Sequence, residues 1–87
     1  MSLSFPNPSR MYDTAHCAIR FWGYDGAMES LFFVSESALV QVDPNLQLSE
    51  VGFLRAFDLN RTLICEVAAN VYARGRKGYY ELVTTDF

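Results

Sequence analysis

The chain has 87 residues, of which 51% are hydrophobic and 15% aromatic, so it can form one domain with a packed core and is not a disordered segment. Its formal net charge of −3 disfavours a general nucleic-acid-binding protein, which needs a net or strongly clustered positive charge. No run approaches the roughly 18 apolar residues that a membrane-spanning helix requires, so no membrane association is expected.

The N-terminal stretch "MSLSFPNPSRMYD" has no basic segment followed by an apolar one, so we expect no signal peptide and a cytoplasmic protein. The two cysteines, Cys17 and Cys65, are far apart and form no C-x-x-C pair. In a reducing compartment we expect both to be buried free thiols.

A β-hairpin is predicted in the first half of the chain. The stretch "HCAIRFW" alternates, so Cys17, Ile19 and Phe21 should face one way, whereas Arg20 and Trp22 should face the other. The Asp-Gly pair in "GYDGAM" suits a tight turn that needs positive φ, and "ESLFFV" follows as the returning strand.

Two helices are predicted after the hairpin. Ser35 is the N-cap candidate for the short helix "ESALVQV", which must end before Pro44. Ser49 is the second N-cap candidate, and from there one long helix is predicted to continue to about Arg74, with Gly75 as its stop. The stretch "YYELVTT" then predicts a last strand.

This order of elements predicts a single α+β domain over residues 1–87. We expect a two-layer sandwich in which a small antiparallel sheet, formed by the hairpin and the C-terminal strand, packs on the long helix. The short helix lies between them in the chain. The segment "SFPNPS" contains two of the three prolines, and residues 3–5 could add a short edge strand.

Several short motifs recur in a recognisable order. They are "SFPN", then "YD" at Tyr12 and Asp13, "IRF", "SESAL", "F..NR..I...A...Y.RG" on the long helix, and the terminal "LVTTDF". Over essentially the whole chain, this series resembles the small bacterial family catalogued as domain of unknown function 1488. The resemblance implies a compact α+β fold in a bacterial cytosolic protein, and it implies no activity because the family has none assigned.

The sequence contains no pattern typical of catalysis or metal binding. His16 is the only histidine, and on a strand its neighbour Cys17 would point to the opposite face. One histidine and two scattered cysteines lack the ligand spacing of a zinc site. There is no nucleophile elbow, phosphate-binding glycine loop or dinucleotide fingerprint. We therefore predict a non-enzymatic protein with no catalytic residues, no metal and no cofactor.

The predicted hairpin has one face that no helix is expected to cover. Arg20 and Trp22 lie on that face, together with either Leu31 and Phe33 or the residues that alternate with them. Contiguous aromatic surface is typical of an interface, so we predict at least a weak homodimer through this face. The alternative is that the short helix or the N-terminal segment folds over it.

The long helix carries a second apolar ridge. Leu59 and Leu63 are spaced i, i+4 and lie away from its main stripe. We expect the short helix to pack on this ridge, and the alternative is a partner protein.

Three of the seven cations, Arg74, Arg76 and Lys77, lie together in "ARGRKG" beside tyrosines. One interpretation is a phosphate or nucleic-acid contact, with the cations on the backbone and the tyrosines stacked on bases. The other is that the cations complement the negative end of the long helix in a solvated turn. The acidic net charge favours the second interpretation.

Asn60 and Arg61 interrupt the apolar stripe of the long helix. A buried guanidinium needs a partner, so we predict that Arg61 bonds Asp86 or Asp13 and holds a chain end on the helix. The alternative is a small-anion or small-molecule binding module with Arg61 and Asn60 as donors. Taken together, these patterns predict a protein-interaction domain that forms a homo-oligomer. The two alternatives are ligand binding at Arg61 and nucleic-acid association through the basic turn.

Overall fold

The structure is a computed structural model that describes residues 3–87. In chain order it contains β1 (Leu3–Ser4), β2 (Arg10–Asp13), β3 (Ala18–Asp25), β4 (Met28–Ser35), α1 (Glu36–Val42), α2 (Glu50–Leu59), α3 (Arg61–Ala73) and β5 (Tyr80–Leu82), followed by a 3₁₀ turn at Thr84–Asp86. This arrangement confirms the predicted α+β class.

The five strands form one mixed sheet built around the β3–β4 hairpin. Strand β4 pairs with β3 along its whole length, and both β1 and β2 pair with the opposite edge of β3. The predicted edge strand is therefore present as β1, whereas β2 was missed. Strand β5 is parallel to β4, with Phe32 opposite Tyr80, so the expectation of a purely antiparallel sheet was wrong. The reason is that α1, α2 and α3 connect β4 to β5 and return the chain to the same end of the sheet.

The predicted hairpin is confirmed, with a two-residue loop between Asp25 and Met28. Gly26, the first loop residue, has a φ of 62°, a conformation that favours glycine. At the other end of β3, Cys17 lies in the turn that precedes the strand, with a φ of 49°, and it is exposed. The expectation that Cys17 is buried and faces the core was therefore wrong. Cys65 is half-buried, and its burial raises the pKa of its thiol.

Both predicted helix N-caps are present. The hydroxyl of Ser35 accepts a hydrogen bond from the amide of Ala38 at 3.0 Å, and the hydroxyl of Ser49 accepts one from the amide of Gly52 at 3.1 Å. The prediction of one long helix was wrong, because the chain leaves helical geometry at Asn60, where φ is −115° and ψ is 20°. The Asn60 side chain donates to the carbonyl oxygen of Ala56 at 2.9 Å, a local bond that competes with regular helix geometry.

All three helices pack on one face of the sheet. The shared core contains Ile19, Phe21, Phe32 and Val34 from the sheet and, from the helices, Ala38, Leu39, Phe53, Phe57, Ile64, Val67, Ala68, Val71 and Tyr72. The inward phase predicted for Ile19 and Phe21 is thus confirmed. On the returning strand the inward residues are Phe32 and Val34, so Leu31 and Phe33 lie on the other face.

Two glycines allow close contacts in this layer arrangement. A Cβ at Gly23 would lie 2.7 Å from the ring of Phe5, which packs over the end of the core at that point. A Cβ at Gly52 would lie 1.8 Å from the carbonyl oxygen of Gln47, so the first turn of α2 can pass this backbone only with glycine at that position.

Candidate functional site

We call the side of the sheet that faces away from the helices the outer face. Two of its rows of side chains are central: Met11, Arg20, Phe33 and Glu81 are opposite one another on β2, β3, β4 and β5, and Trp22 is opposite Leu31. Arg20, Trp22 and Leu31 are half-buried, and Met11 is 50% exposed. Within residues 3–87, no helix covers this face, which presents an aromatic ring, aliphatic groups and one arginine, with the carboxylates of Asp13, Glu29 and Glu81 around them.

Phe33 is the predicted interface residue that is not accessible, because it is only 5% exposed. The imidazole of His16 stacks on its ring with the centroids 4.2 Å apart, and the ring of Tyr79 meets it edge-on at 5.7 Å. Neither the short helix nor the N-terminal segment provides this cover. It comes instead from the turn before β3 and from the residue before β5, so the accessible part of the face is centred on Trp22 and Leu31.

Asp13 is the acceptor in a small polar group at the edge of the outer face. One of its carboxylate oxygens lies 3.2 Å from Nδ1 of His16 and accepts the backbone N–H of the same residue at 3.1 Å. The other lies 3.9 Å from Nη1 of Arg20. The hydrogen bond from His16 lowers the pKa of the Asp13 carboxyl below its usual range, and the charge of Arg20 adds to this effect.

Arg20 lies across the centre of the outer face. Its guanidinium carbon is 5.6 Å from the centroid of the Trp22 ring, within the range of a cation–π contact, and Nη2 lies 3.3 Å from Sδ of Met11. Among the described residues, no acceptor is bonded to its Nε, which is buried. These contacts hold the Arg20 side chain flat on the sheet, where it supports one side of the indole.

A cleft of about 590 Å³ opens beside Trp22, and we call it the Trp22 cleft. It is lined by Asn7, Ser9, Arg10, Met11, Trp22 and Glu29. The Arg10 guanidinium is already neutralised by two hydrogen bonds to the Asp58 carboxylate, at 2.9 and 2.7 Å. Glu29 accepts a hydrogen bond from the Tyr24 hydroxyl at 2.7 Å, which raises the pKa of Tyr24. Within residues 3–87, Glu29 takes part in no ion pair. An indole beside a carboxylate is suited to a cation.

Arg61 does not bond either of the carboxylates predicted for it. Its Nη2 donates to the backbone carbonyl of Asn7 at 2.7 Å, and its guanidinium lies over the Phe57 ring at 5.4 Å. Asp86 instead accepts from Nη1 of Arg74 at 3.1 Å and from the amide of Val83 at 2.9 Å. The predicted link between Arg61 and a terminal segment exists, but it is made to the N-terminal segment through a main-chain oxygen.

The ion pair between Arg10 and Asp58 is a second link of this kind, and sequence reasoning missed it. It joins β2 to the last turn of α2 across 48 residues of sequence. The hydrogen bond to Arg10 lowers the pKa of the Asp58 carboxyl and raises the pKa of the Arg10 guanidinium. With β2 itself unrecognised, no pattern in the sequence indicated that these residues would meet.

The three cations of the basic turn point to different parts of the molecule. Arg74 is paired with Asp86, and Nη1 of Arg76 lies 3.8 Å from Sδ of Met28. The backbone N–H of Lys77 donates to the hydroxyl of the core residue Tyr80 at 3.1 Å, and its neighbours include Tyr79 and Glu81. The sequence cluster therefore does not form one continuous basic patch.

The second apolar ridge remains open to solvent, so the expectation that α1 packs on it was wrong. Leu59 and Leu63 are 68% and 43% exposed, and Val51 on the same helical layer is 71% exposed.

Within residues 3–87, no cluster of three or more histidine, cysteine or carboxylate side chains could hold a metal ion. Every helix in that range is too short or too polar to cross a membrane.

The fold and this surface define a small α+β domain whose mixed sheet is covered by helices on one face and open on the other. The chain belongs to the family described as "Protein of unknown function (DUF1488)", whose sequence profile matches residues 3–83. The predicted family resemblance is thereby confirmed.

A solved structure agrees with this assignment. The crystal structure of a protein of unknown function from the DUF1488 family of Shewanella loihica PV-4 superimposes with a TM-score of 0.82 at 18% identity, over 93% of this chain and 91% of that one. At this identity the similarity establishes the fold alone. No functionally curated protein shows significant similarity to the chain.

Proposed function

We propose that this chain is a non-enzymatic protein-interaction domain of the bacterial cytosol that forms a homodimer through the outer face of its sheet. The proposal rests on the position of the helices. All three of them, α1, α2 and α3, pack on the face of the sheet that contains Phe21 and Phe32. Within residues 3–87, the opposite face, with Trp22 and Leu31, has no comparable cover. Partly exposed aromatic and aliphatic groups around an arginine are the composition that protein interfaces favour.

The small size of the domain supports self-association. A single 87-residue core stabilises a fold only marginally, and burial of a further apolar face is a common way to strengthen small domains. The helical ridge at Val51, Leu59 and Leu63 is the competing surface. It is composed of separate aliphatic side chains without an aromatic anchor, so we place the interface on the sheet.

The alternative functions have less support from the geometry. A small-anion module would need free donors at Arg61, but that guanidinium already donates to Asn7 and lies over Phe57. Nucleic-acid association would need a joint basic surface, but Arg74 is paired with Asp86 and Arg76 lies on the side of Met28.

Sedimentation equilibrium across a wide concentration range tests the proposal. We expect the wild-type chain to dimerise, and we expect Leu31→Arg to remain monomeric while retaining its circular dichroism spectrum, because Leu31 is half-buried on the outer face. Val51→Arg is the matched control, since it places the same charge on the helical layer. A wild-type chain that stays monomeric would contradict the proposal. A dimer that is lost only with Val51→Arg would move the interface to the ridge.

A further inference from the structure

We propose that the Trp22 cleft is a binding site for a primary alkylammonium group. The alkyl chain lies against Trp22 and Met11, and the ammonium donates to the Glu29 carboxylate. A free aliphatic amine and a lysine side chain both carry this chemistry. The inference goes beyond the proposed function, because the lining residues of the cleft all come from one chain and the site needs no second copy.

The apolar part of the cleft suits an alkyl chain. Trp22 and Met11 both line it, and its volume of about 590 Å³ is in the range of small-ligand sites. Trp22 is half-buried and Met11 is 50% exposed, so both offer apolar surface that a ligand can cover. Arg20 contacts both of these side chains, which restricts their movement. The wall is therefore largely formed before a ligand binds.

Glu29 supplies the negative charge of the cleft. Its Oε2 accepts the hydrogen bond from the Tyr24 hydroxyl at 2.7 Å, and within residues 3–87 no donor is bonded to its Oε1. The side chain is exposed, so Oε1 is accessible to a ligand. An ammonium that donates to Oε1 leaves the bond from Tyr24 intact, and that bond orients the carboxylate.

The arginines near the cleft already have carboxylate partners. Arg10, a lining residue, donates two hydrogen bonds to Asp58, at 2.9 and 2.7 Å. Arg20 has Nη1 3.9 Å from a carboxylate oxygen of Asp13. Glu29 takes part in no ion pair within residues 3–87. These three carboxylates and two guanidinium groups leave one net negative charge around the cleft, which favours a ligand with a single positive charge.

The hydrogen-bonding groups of the cleft favour a primary ammonium over other ions. An anion would lie near Glu29 and would have to compete with Asp58 for the Arg10 guanidinium. A quaternary ammonium has no N–H to donate to Glu29, or to the hydroxyl of Ser9, which also lines the cleft. Arg20 already lies over the indole, so the ring is left to contact the alkyl chain while the charge lies at Glu29.

NMR titration of the indole N–H of Trp22 tests the site, because Trp22 is the only tryptophan in the chain and gives one indole resonance. The probe is n-butylamine at pH 7, with n-butanol as the neutral analogue and butyrate as the anionic one. We expect a saturable shift with n-butylamine and a Kd of roughly 1 mM for so small a ligand. Binding of n-butanol should be about tenfold weaker, and butyrate should give no saturable shift.

Glu29→Gln tests the proposed charge contact, because glutamine keeps an acceptor for Tyr24 and removes the negative charge. We expect it to raise the Kd of n-butylamine about tenfold and to leave that of n-butanol unchanged. Glu81→Gln is the matched control, since it removes an exposed carboxylate from β5 outside the cleft, and we expect it to change the Kd of n-butylamine less than about twofold. Circular dichroism confirms that both variants are folded.

A second ligand distinguishes the two sources of the ammonium. Lysine with both backbone termini capped carries the same group on a peptide backbone. Tighter binding of the capped lysine than of n-butylamine assigns the cleft to a lysine side chain of a protein. Tighter binding of n-butylamine assigns it to a free amine. Both results place an alkylammonium in the cleft.

Three results would overturn the inference: n-butylamine without a saturable shift, n-butanol bound as tightly as n-butylamine, or a Glu29→Gln variant that binds n-butylamine like the wild type. Saturable binding of butyrate would assign the cleft to anions and overturn it as well. The titration uses a protein concentration at which sedimentation shows a monomer, so its result is independent of dimer formation. A cleft that binds no amine leaves the proposed dimer standing, and a chain that never dimerises leaves the amine site standing.

Discussion

The guanidinium of Arg61 donates a hydrogen bond to the backbone carbonyl of Asn7, 54 residues earlier in the chain, at 2.7 Å. The same side chain lies over the ring of Phe57 at the end of α2. The first residue of α3 therefore stabilises the proline-containing segment between β1 and β2, and through that segment it supports one wall of the Trp22 cleft, where Asn7 is a lining residue.

Replacing Arg61 should destabilise the fold in proportion to the contacts that the new side chain loses. Arg61→Ala loses both the charged hydrogen bond and the packing on Phe57, so we expect the free energy of unfolding to fall by about 2 kcal/mol. Arg61→Met keeps the packing and should cost about 1 kcal/mol. Urea denaturation measures both values. The control is Arg55→Ala, an exposed arginine on α2, and equal effects at Arg55 and Arg61 would contradict the link.

The two close-contact glycines should differ in their tolerance of alanine. At Gly23 the added Cβ meets the end of the Phe5 side chain, which can move, so we expect a cost of about 1 kcal/mol. At Gly52 it meets the backbone of Gln47, so we expect about 3 kcal/mol, despite the gain of about 1 kcal/mol in helix propensity that alanine brings.

Gly78→Ala is the matched control for both glycine variants, because no atom lies within 4 Å of a Cβ at that position. Thermal and urea unfolding of the three variants should give the order Gly52, Gly23, Gly78 from most to least destabilised. A Gly52→Ala protein as stable as the Gly78→Ala protein would show that the turn before α2 is not held as described.

The ion pair between Arg10 and Asp58 makes stability depend on pH in the acid range. Its hydrogen bonds lower the pKa of Asp58 in the folded chain relative to the unfolded chain. The resulting stabilisation is present above the unfolded pKa of about 4 and is lost as the pH falls through the folded value. We therefore expect wild type to be more stable than Asp58→Asn at pH 7 and the difference to vanish at strongly acidic pH.

Urea denaturation at a series of pH values measures this difference. The pair is partly exposed, so the effect at pH 7 should be small and should decrease with added salt. Glu66→Gln, an exposed carboxylate on α3, is the control for a general loss of negative charge. A difference between wild type and Asp58→Asn that is independent of pH would show that packing, and not charge, is responsible.

The sequence was informative where a repeating pattern determines the structure. Alternation in "AIRFW" predicted which residues of β3 face the helices, and Ser35 and Ser49 marked the helix starts because a hydroxyl N-cap is a local signal. The break at Asn60 could not be predicted in this way, since the apolar stripe continues with helical spacing on both sides. At the break, the Asn60 side chain donates to the carbonyl oxygen of Ala56, a local bond that the spacing of the apolar residues does not predict.

The partners of polar side chains were the least predictable feature of the site. Arg61 was expected to choose a carboxylate, but its acceptor is a backbone oxygen, and every residue type carries one. Phe33 was expected to be exposed because alternation places it on the outer face. Alternation does not show whether another segment covers that position. Its burial depends on His16 and Tyr79, which lie in irregular segments whose course the periodicity does not describe.

The hydroxyl of Tyr12 is hydrogen-bonded to the Glu36 carboxylate and links β2 to the first residue of α1. This bond to a carboxylate raises the pKa of Tyr12 to about 12, because loss of the phenol proton would remove the donor and place two negative charges together. In the unfolded chain a tyrosine ionises near pH 10. The stabilisation is therefore present below pH 10 and is lost as the pH rises towards 12.

We expect Tyr12→Phe to be less stable than wild type at pH 8 and the difference to decline between pH 10 and 12. Glu36→Gln, which keeps an acceptor but removes the charge, should lower the pKa of Tyr12 towards its usual range. Tyrosine-selective NMR titration follows the Tyr12 ring directly in wild type and in the Glu36 variant. A Tyr12 resonance that titrates near pH 10 in the wild type would mean that the bond to Glu36 does not persist in solution.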